Sequence, residues 1–301
     1  MLQSCTPLTK IRKSRFKGSA RVKPKKARVD ASLASKGQGW RRKRLSQVGK
    51  IGDLVDSHCH LDFKSFDRDR EEVIAQARRV GVAVMINSGV DYATNQTTLE
   101  LARKHDFIHA TMGIGPSSVD RTGGKGMQVL FDQIREHTNE IKGVGEAGLD
   151  YYRCTDAAGR TRQAEVFQQV IALASDVNLP LVIHARQAED EAFKMVQSLT
   201  KVVFHCYGGN LETMRKIVDR GFYISLATTV CYSAHHQTLA RHVPLESLLI
   251  ETDAPFLSPR SGRNEPAYIL DLVDQVARIK AMSPIRIAEI TARNARQAFD
   301  L

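Results

Sequence analysis

Cysteine is scarce in this chain of 301 residues, and its five cysteines are scattered. No two of them form a CxxC pair, so the sequence indicates neither a thiolate zinc site nor a disulfide framework. We interpret them as reduced thiols and expect a cytoplasmic protein. The cysteines are Cys5, Cys59, Cys154, Cys206 and Cys231.

Long apolar runs are also missing from the sequence. No stretch approaches the roughly 18 consecutive apolar residues of a membrane-spanning helix, and the start of the chain lacks the apolar segment of a secretory signal. We therefore expect neither membrane insertion nor export. The composition, 42% hydrophobic and 26% charged, is typical of a large water-soluble domain with its own core.

Acidic residues are nearly absent from the first 50 residues, which contain 16 Lys and Arg against one acid, Asp30. The rest of the chain contains 28 Lys and Arg against 32 Asp and Glu, so the net charge of +11 comes wholly from the amino-terminal part. Apolar periodicity is weak there too, and such a segment cannot bury enough surface to offset the entropy lost on ordering. We predict a disordered basic extension over residues 1–52.

The extension has three interpretations. It could bind the phosphates of a nucleic acid, or it could contain a targeting signal such as the basic run 41–44. It could be a transit peptide, since it is rich in Arg and Ser, although its many lysines weaken that interpretation. It could also be an over-extended translation start or a solvated tail without a role.

From residue 53 onward, short apolar runs alternate with amphipathic stretches of helical period, which is the pattern of repeated βα units. We predict one domain over residues 53–301. Its eight predicted strands span 54–57, 83–87, 108–112, 143–145, 181–184, 202–205, 222–225 and 248–251.

Apolar strands separated by helices imply a parallel sheet that is covered on both faces. Eight βα units in about 250 residues favour a closed (β/α)₈ TIM barrel within the α/β class. A doubly wound open sheet is the alternative. It is less favoured because no Gly-rich phosphate fingerprint follows the first strand.

Residues of metal-ligand type occur at five of the eight predicted strand ends, and in a barrel these ends build the reactive site. Residues two apart on a strand point the same way, so His58 and His60 could face one ion. Each residue alone has a structural explanation, such as a hydrogen-bonded histidine, a loop cap or a turn. Their joint occurrence favours a metal centre. The candidate ligands are His58, His60, Glu146, His184, His205 and Asp253.

The donor set consists of imidazoles and carboxylates without a thiolate. Such a set suits zinc or manganese, and carboxylate-rich sites also admit magnesium. Six ligands exceed the needs of one catalytic ion, whereas two ions that share a carboxylate would use all of them. We therefore predict two divalent metal ions.

Six motifs are spread over nearly all of residues 53–301. They are VDSHCHLDF (55–63), GEAGLDYY (145–152), LPLVIHAR (179–186), VVFHCYGG (202–209), IETDAPFLSP (250–259) and RNEPAYI (263–269). In these motifs and in their order, the sequence resembles the TatD family of metal-dependent deoxyribonucleases, within the amidohydrolase-like barrels.

The resemblance implies that His58, His60 and Asp253 hold one ion and that His184 and His205 hold the second. It also implies that Glu146 bridges the two ions, in the place where related amidohydrolases have a strand-four lysine. The family cuts DNA, often as an exonuclease. A 3′–5′ exonuclease is one form that this implies here, and the sequence leaves open both endo or exo cleavage and the polarity.

One position departs from the family pattern. Chains of this family typically have a histidine before the proline after strand three, whereas this sequence has Gly115 before Pro116. Substrate contact at that point must therefore be weaker or come from elsewhere, and Arg121 and Lys125 in the following loop are candidates.

A mechanism follows as a hypothesis. Two ions would activate a water for in-line attack on a phosphodiester, with Glu146 as the catalytic bridge and Asp253 as both ligand and proton acceptor. Arg186 is predicted to clamp a phosphate, with a surface salt bridge as its alternative role. Arg263 is predicted to order the rim or contact substrate, and the alternative is capping before Pro266.

Two other functions stay open at this point. The same barrel could hydrolyse a small amide, ester or lactone, since this fold hosts many reactions. It could also be a non-catalytic, metal-binding protein that binds nucleic acid. The preferred hypothesis is a hydrolase that takes DNA as its substrate and has neither a membrane nor a stable protein partner.

Overall fold

The computed structural model describes residues 53–119 and 121–301. The predictions for the basic extension over residues 1–52 lie outside the described residues.

Eight parallel strands form one sheet, and each strand pairs with the next in sequence order. Near the carboxyl ends of the strands, Asp253 N donates to His58 O and His60 N donates to Ala254 O, which joins the last strand segment to the first. This confirms the predicted (β/α)₈ barrel. The strands are β1 (Leu54–Cys59), β2 (Val82–Ser88), β3 (Ile108–Met112), β4 (Ile141–Asp150), β5 (Leu181–Arg186), β6 (Val202–Phe204), β7 (Tyr223–Leu226) and β8 (Leu248–Ile250).

Helices connect the strands, and polar side chains start several of them. Asp91, Asp156 and Asn210 accept hydrogen bonds from the first turns of the helices that they cap. The helices are α1 (Arg70–Arg79), α2 (Tyr92–Lys104), α3 (Pro116–Val119), α4 (Gly124–Glu136), α5 (Ala157–Asp176), α6 (Glu189–Met195), α7 (Leu211–Asp219), α8 (Ala234–His242), α9 (Ile269–Lys280) and α10 (Pro284–Phe299).

The core has two parts. The larger part lies where the helices pack on the outside of the strands. The smaller part joins apolar residues from five strands, among them Val55 and Val203, to Phe299 and three alanines of α10. Because most of these strand residues lie near the strand starts, this apolar plug fills the amino-terminal end of the barrel and leaves the opposite mouth to polar side chains. None of the helices in the described ranges is long and apolar enough to cross a membrane.

Strand β4 is longer than the sequence predicts. The prediction covered residues 143–145, but the strand spans Ile141–Asp150, and its pairing with β5 continues to Asp150 and Arg186. Gly145 and Gly148 have φ of +135° and +145°, and a Cβ on Gly148 would lie 2.0 Å from the His184 carbonyl oxygen. These glycines permit the close approach of β5 rather than ending the strand.

Candidate metal centre

All six predicted ligands converge at the carboxyl-terminal mouth of the barrel. Five of them are buried, and His184 is partly buried. They come from β1, β4 and β5, from the positions after β1 and β6, and from the turn after β8, so parallel strands bring them to one place.

Glu146 lies at the centre of this cluster. Its Oε2 is 3.4 Å from His58 Nε2 and 3.3 Å from His60 Nε2. Its Oε1 is 2.5 Å from His184 Nδ1 and 3.2 Å from His205 Nε2. Each carboxylate oxygen thus faces one pair of histidines, which is the arrangement that a bridging ligand requires.

Asp253 completes the first pair, because its Oδ1 is 3.5 Å from His60 Nε2. His58, His60 and Asp253 offer three ligand atoms within 4.8 Å of one another, and so do His58, Glu146 and His205. His58 belongs to both groups because its ring stacks on that of His205, with ring centroids 4.0 Å apart. The two groups are therefore adjacent.

The outer nitrogens of three imidazoles face hydrogen-bond acceptors. His60 Nδ1 donates to the Ser88 carbonyl at 2.7 Å, and His205 Nδ1 donates to Glu251 Oε1 at 3.3 Å. His184 Nε2 is 3.4 Å from Asp150 Oδ2, an ion-pair contact without hydrogen-bond geometry. An acceptor on the outer side keeps the proton there, so each neutral ring points a lone pair at the centre of the site.

The spacing of the inward-facing atoms also fits metal ions. Ligand atoms bound to one ion at about 2.1 Å lie roughly 3.0–3.5 Å apart in octahedral or tetrahedral geometry. His58 Nε2 and His60 Nε2 are 3.1 Å apart, and His184 Nδ1 and His205 Nε2 are 3.3 Å apart. The inward-facing atoms therefore have the spacing of metal ligands.

The electrostatics of the cluster are strongly coupled. Burial by itself would raise the pKa of Glu146, but His205 and His184 hold it well below its usual value. Burial by itself would lower the pKa of His60, but Asp253 and Glu146 raise it well above its usual value. The pKa values of His184 and His205 are raised as well, whereas burial and His205 lower that of His58. Protons on the other three histidines thus balance the buried carboxylates, and a bound cation would take over that role and release them.

Three residues that orient the ligands were not singled out by the sequence analysis. Ser88 ends β2, and its hydroxyl lies 3.2 Å from His58 Nδ1. Glu251 also accepts from Cys206 N at 2.7 Å, which fixes its carboxylate behind His205. For Asp150 the only sequence signal is its position four residues after Glu146, on the same side of a strand.

Asp56 is a fourth such residue, and it links β1 to the end of β8. Its two carboxylate oxygens accept from Thr252 N at 2.8 Å and from Thr252 Oγ1 at 2.6 Å. Burial raises the pKa of Asp56 to about 8, although these hydrogen bonds act in the opposite direction. The contact fixes the residue next to Asp253, so Asp56 positions that ligand through the backbone.

The two predicted substrate-binding arginines have different surroundings. Arg186 is exposed, and its guanidinium lies 3.9 Å from the centroid of the Tyr152 ring. Arg263 forms two hydrogen bonds to Asp69, at 2.9 and 2.7 Å, and contacts Glu265 at 3.2 Å. These contacts fit the rim-ordering role of Arg263, whereas its contact with substrate stays a prediction.

Gly115 is buried beside Val90. A Cβ at this position would lie 3.0 Å from Val90 Cβ, so a histidine would need Val90 to move. Arg121, a candidate substitute, is exposed and lies 3.5 Å from Asp91 Oδ2, and Lys125 is exposed as well.

Carboxylate and imidazole ligands at the mouth of a parallel barrel define a metal-dependent hydrolase. The chain belongs to the TatD related DNase family, whose model matches residues 55–300.

The alignment with this chain covers almost the whole length of several relatives. An uncharacterised metal-dependent hydrolase of Methanocaldococcus jannaschii is 34% identical over 246 residues, which are 81% of this chain and 96% of the relative. The 3′-5′ ssDNA/RNA exonuclease TatD of Salmonella typhimurium is 30% identical over 262 residues, which are 82% of this chain and 99% of the relative.

A similar fold occurs in the crystal structure of YJJV, a TatD homologue from Escherichia coli. It superimposes with a TM-score of 0.77 at 24% identity and covers 83% of this chain and 99% of the other. At this identity the match supports the fold alone.

Proposed function

We propose that this protein is a metal-dependent deoxyribonuclease that cleaves phosphodiester bonds with the cluster around Glu146. The observation that carries the proposal is the pair of carboxylate oxygens on Glu146, each of which faces two imidazole nitrogens. A relative of similar length is a 3′-5′ exonuclease, and we extend that polarity to this chain as part of the proposal.

In this proposal His58, His60 and Asp253 would hold one ion, His184 and His205 would hold the second, and Glu146 would offer one oxygen to each. Divalent ions, when bound, make water more acidic and neutralise charge on a phosphodiester. Magnesium, manganese and zinc all suit the donor set. The two histidine pairs that face opposite oxygens of Glu146, namely His58 with His60 and His184 with His205, support two ions rather than one.

The residues themselves supply binding and proton transfer. Asp253 keeps 8% of its surface exposed at the mouth, so its carboxylate can accept a proton from the attacking water. Arg186 is exposed at the end of β5, next to His184, and has no ion pair among the described residues. Its guanidinium is therefore free to donate to a phosphate oxygen.

The first test is hydrolysis of single-stranded and duplex DNA by the full chain with magnesium, manganese or zinc. We expect Asp253→Asn to lower turnover by about 100-fold or more, since it removes both a ligand and the proton acceptor. Asp219→Asn is the matched control, because Asp219 is an exposed carboxylate at the end of α7. Circular dichroism should be the same for all three proteins.

Near wild-type turnover in a folded Asp253→Asn protein would rule out the role of Asp253. Absence of cleavage by the wild type with all three ions, although the protein binds them, would rule out the nuclease. That result would favour hydrolysis of a small amide, ester or lactone. Cytoplasmic location and the lack of a stable protein partner stay predictions.

A further inference from the structure

Exposed aromatic side chains cluster at the mouth of the barrel. Within the described ranges, four aromatic residues are substantially exposed: Tyr92 (49%), Tyr152 (56%), Tyr232 (56%) and Phe256 (45%). Each follows the carboxyl end of a strand, namely β2, β4, β7 or β8. Large apolar surfaces left in water at the rim of a reactive site mark a place where a ligand binds.

One aromatic group lies directly against a predicted metal ligand. Phe63 stacks on the His60 ring, with centroids 4.7 Å apart and an angle of 25° between the planes. Phe256 meets Phe63 edge to face, with centroids 5.7 Å apart. We call these two residues the Phe63–Phe256 platform. It lies beside the ends of β8 and β1.

A second group lies at the ends of β4 and β5. The guanidinium of Arg186 lies 3.9 Å from the centroid of the Tyr152 ring, which gives a flat cationic surface. We call it the Tyr152–Arg186 platform. Because the strands follow one another in order around the barrel, β4 and β5 are opposite β8 and β1. The metal cluster therefore lies between the two platforms.

We propose that the two platforms stack the nucleobases on either side of the scissile phosphate of an unpaired polynucleotide. This inference rests on the proposed nuclease function and adds the contacts that select its substrate. A phosphodiester at the metal cluster has one nucleoside on each side, and the site offers one flat surface on each side. Every base has a π-face, so such stacking accepts any sequence.

The chemistry of the platforms favours this occupant over a small amide or ester. A small amide or ester does not present two aromatic rings, whereas two nucleosides joined by a phosphate present one base to each platform. Paired bases in a duplex already stack on their neighbours, so both platforms require bases that are free to separate. Single strands are therefore the better substrates.

The test uses the full chain and a set of single-stranded octanucleotides in which one abasic residue is moved along the strand. The cleavage rate at each bond is measured from the products. With wild-type protein we expect an abasic residue on either side of a bond to slow cleavage at that bond by about tenfold, since stacking contributes roughly 1–3 kcal/mol per base.

The variants Phe256→Leu and Tyr152→Leu keep apolar volume but remove a flat ring. Each should slow cleavage of the intact strand by about tenfold and abolish the abasic penalty on one side only, a different side for each variant. Phe256→Trp and Tyr152→Phe should retain both penalties. Val129→Ala, which changes an exposed apolar residue on α4 away from the mouth, is the matched control and should behave as wild type.

Three results would overturn the inference. They are wild-type cleavage that is insensitive to abasic residues, variants that retain both penalties, and two variants that lose the penalty on the same side. In each case the protein still cleaves DNA, so the proposed function stands. Failure of the wild type to cleave any strand would instead overturn the proposed function, and this inference with it.

Discussion

One ring nitrogen of a histidine in this site faces the centre of the cluster because another residue contacts the second ring nitrogen. Ser88, Glu251 and Asp150 contact the outer nitrogens of His60, His205 and His184 in turn. Such contacts select one tautomer before any ion arrives, which favours binding. The effect of each partner should therefore appear in metal affinity rather than in the fold.

At this scale we predict that Asp150→Asn weakens metal binding by about 10–100-fold, because the neutral amide no longer holds the proton on His184 Nε2 as firmly. Isothermal titration with manganese or zinc measures the change. Arg153→Gln is the matched control, because it removes an exposed charge 3.7 Å from Asp150 Oδ2 and leaves the carboxylate itself in place. Equal affinities for wild type and Asp150→Asn would show that Asp150 does not orient the ligand.

Gly115 shows how one residue can change the wall of the site. The sequence locates the missing histidine, but only the structure shows that Val90 occupies the adjoining space. A side chain at position 115 would crowd Val90. Glycine is therefore compatible with the position of Val90, whereas a histidine would require Val90 to move. That substrate contact at this point comes from other residues, such as Arg121 or Lys125, stays a prediction.

At the scale of elements, the segment after β8 is tied to the region before α1. Arg263 bonds to Asp69 and lies over the Phe66 ring, 4.2 Å from its centroid. Asp69 directly precedes α1, and the pKa of its carboxyl is lowered by the hydrogen bonds from Arg263. This connection sets how the loop that follows Asp253 lies against the barrel.

We predict that Arg263→Ala lowers the free energy of unfolding by about 2 kcal/mol and that Asp69→Ala lowers it by about 1 kcal/mol, because the arginine loses both the ion pair and the ring contact. Urea denaturation measures both. The two variants should raise the KM for single-stranded DNA by a similar factor, since both loosen the same loop. An increase in KM for Arg263→Ala alone would instead support direct contact with substrate.

At the scale of the whole molecule, charge is divided unevenly along the chain. The first 50 residues hold a large excess of Lys and Arg, whereas the remainder carries slightly more acidic than basic residues. A near-neutral barrel has little long-range attraction for a polyanion, so the basic extension is the natural source of salt-dependent binding.

We predict that alanine substitution of the basic run 41–44 weakens the salt dependence of single-strand binding. The slope of log affinity against log salt should fall in magnitude by up to about 3, because each phosphate contact contributes about 0.7. Fluorescence anisotropy in an Asp253→Asn background measures it without cleavage. The control changes four exposed basic residues near the amino-terminal end of the barrel, Arg79, Arg103, Lys104 and Arg135, to alanine. Equal slopes in wild type and the extension variant would support a tail without a role.

The sequence by itself determined the barrel, the order of its strands and the six candidate ligands. All of these depend on local pattern, since each ligand lies at a strand end and parallel strands bring their carboxyl ends to one mouth. It misjudged the length of β4, because the sequence does not show that Gly145 and Gly148 permit the close approach of β5.

Tertiary structure alone decided which nitrogen of each histidine faces the centre, and which residues hold it there. It also decided the partner of Arg263, since Asp69 lies 194 residues away along the chain. The position of the two aromatic platforms on opposite walls likewise follows from closure of the barrel. These features depend on contacts between distant segments, and neither periodicity nor spacing in a sequence records which distant side chains will meet.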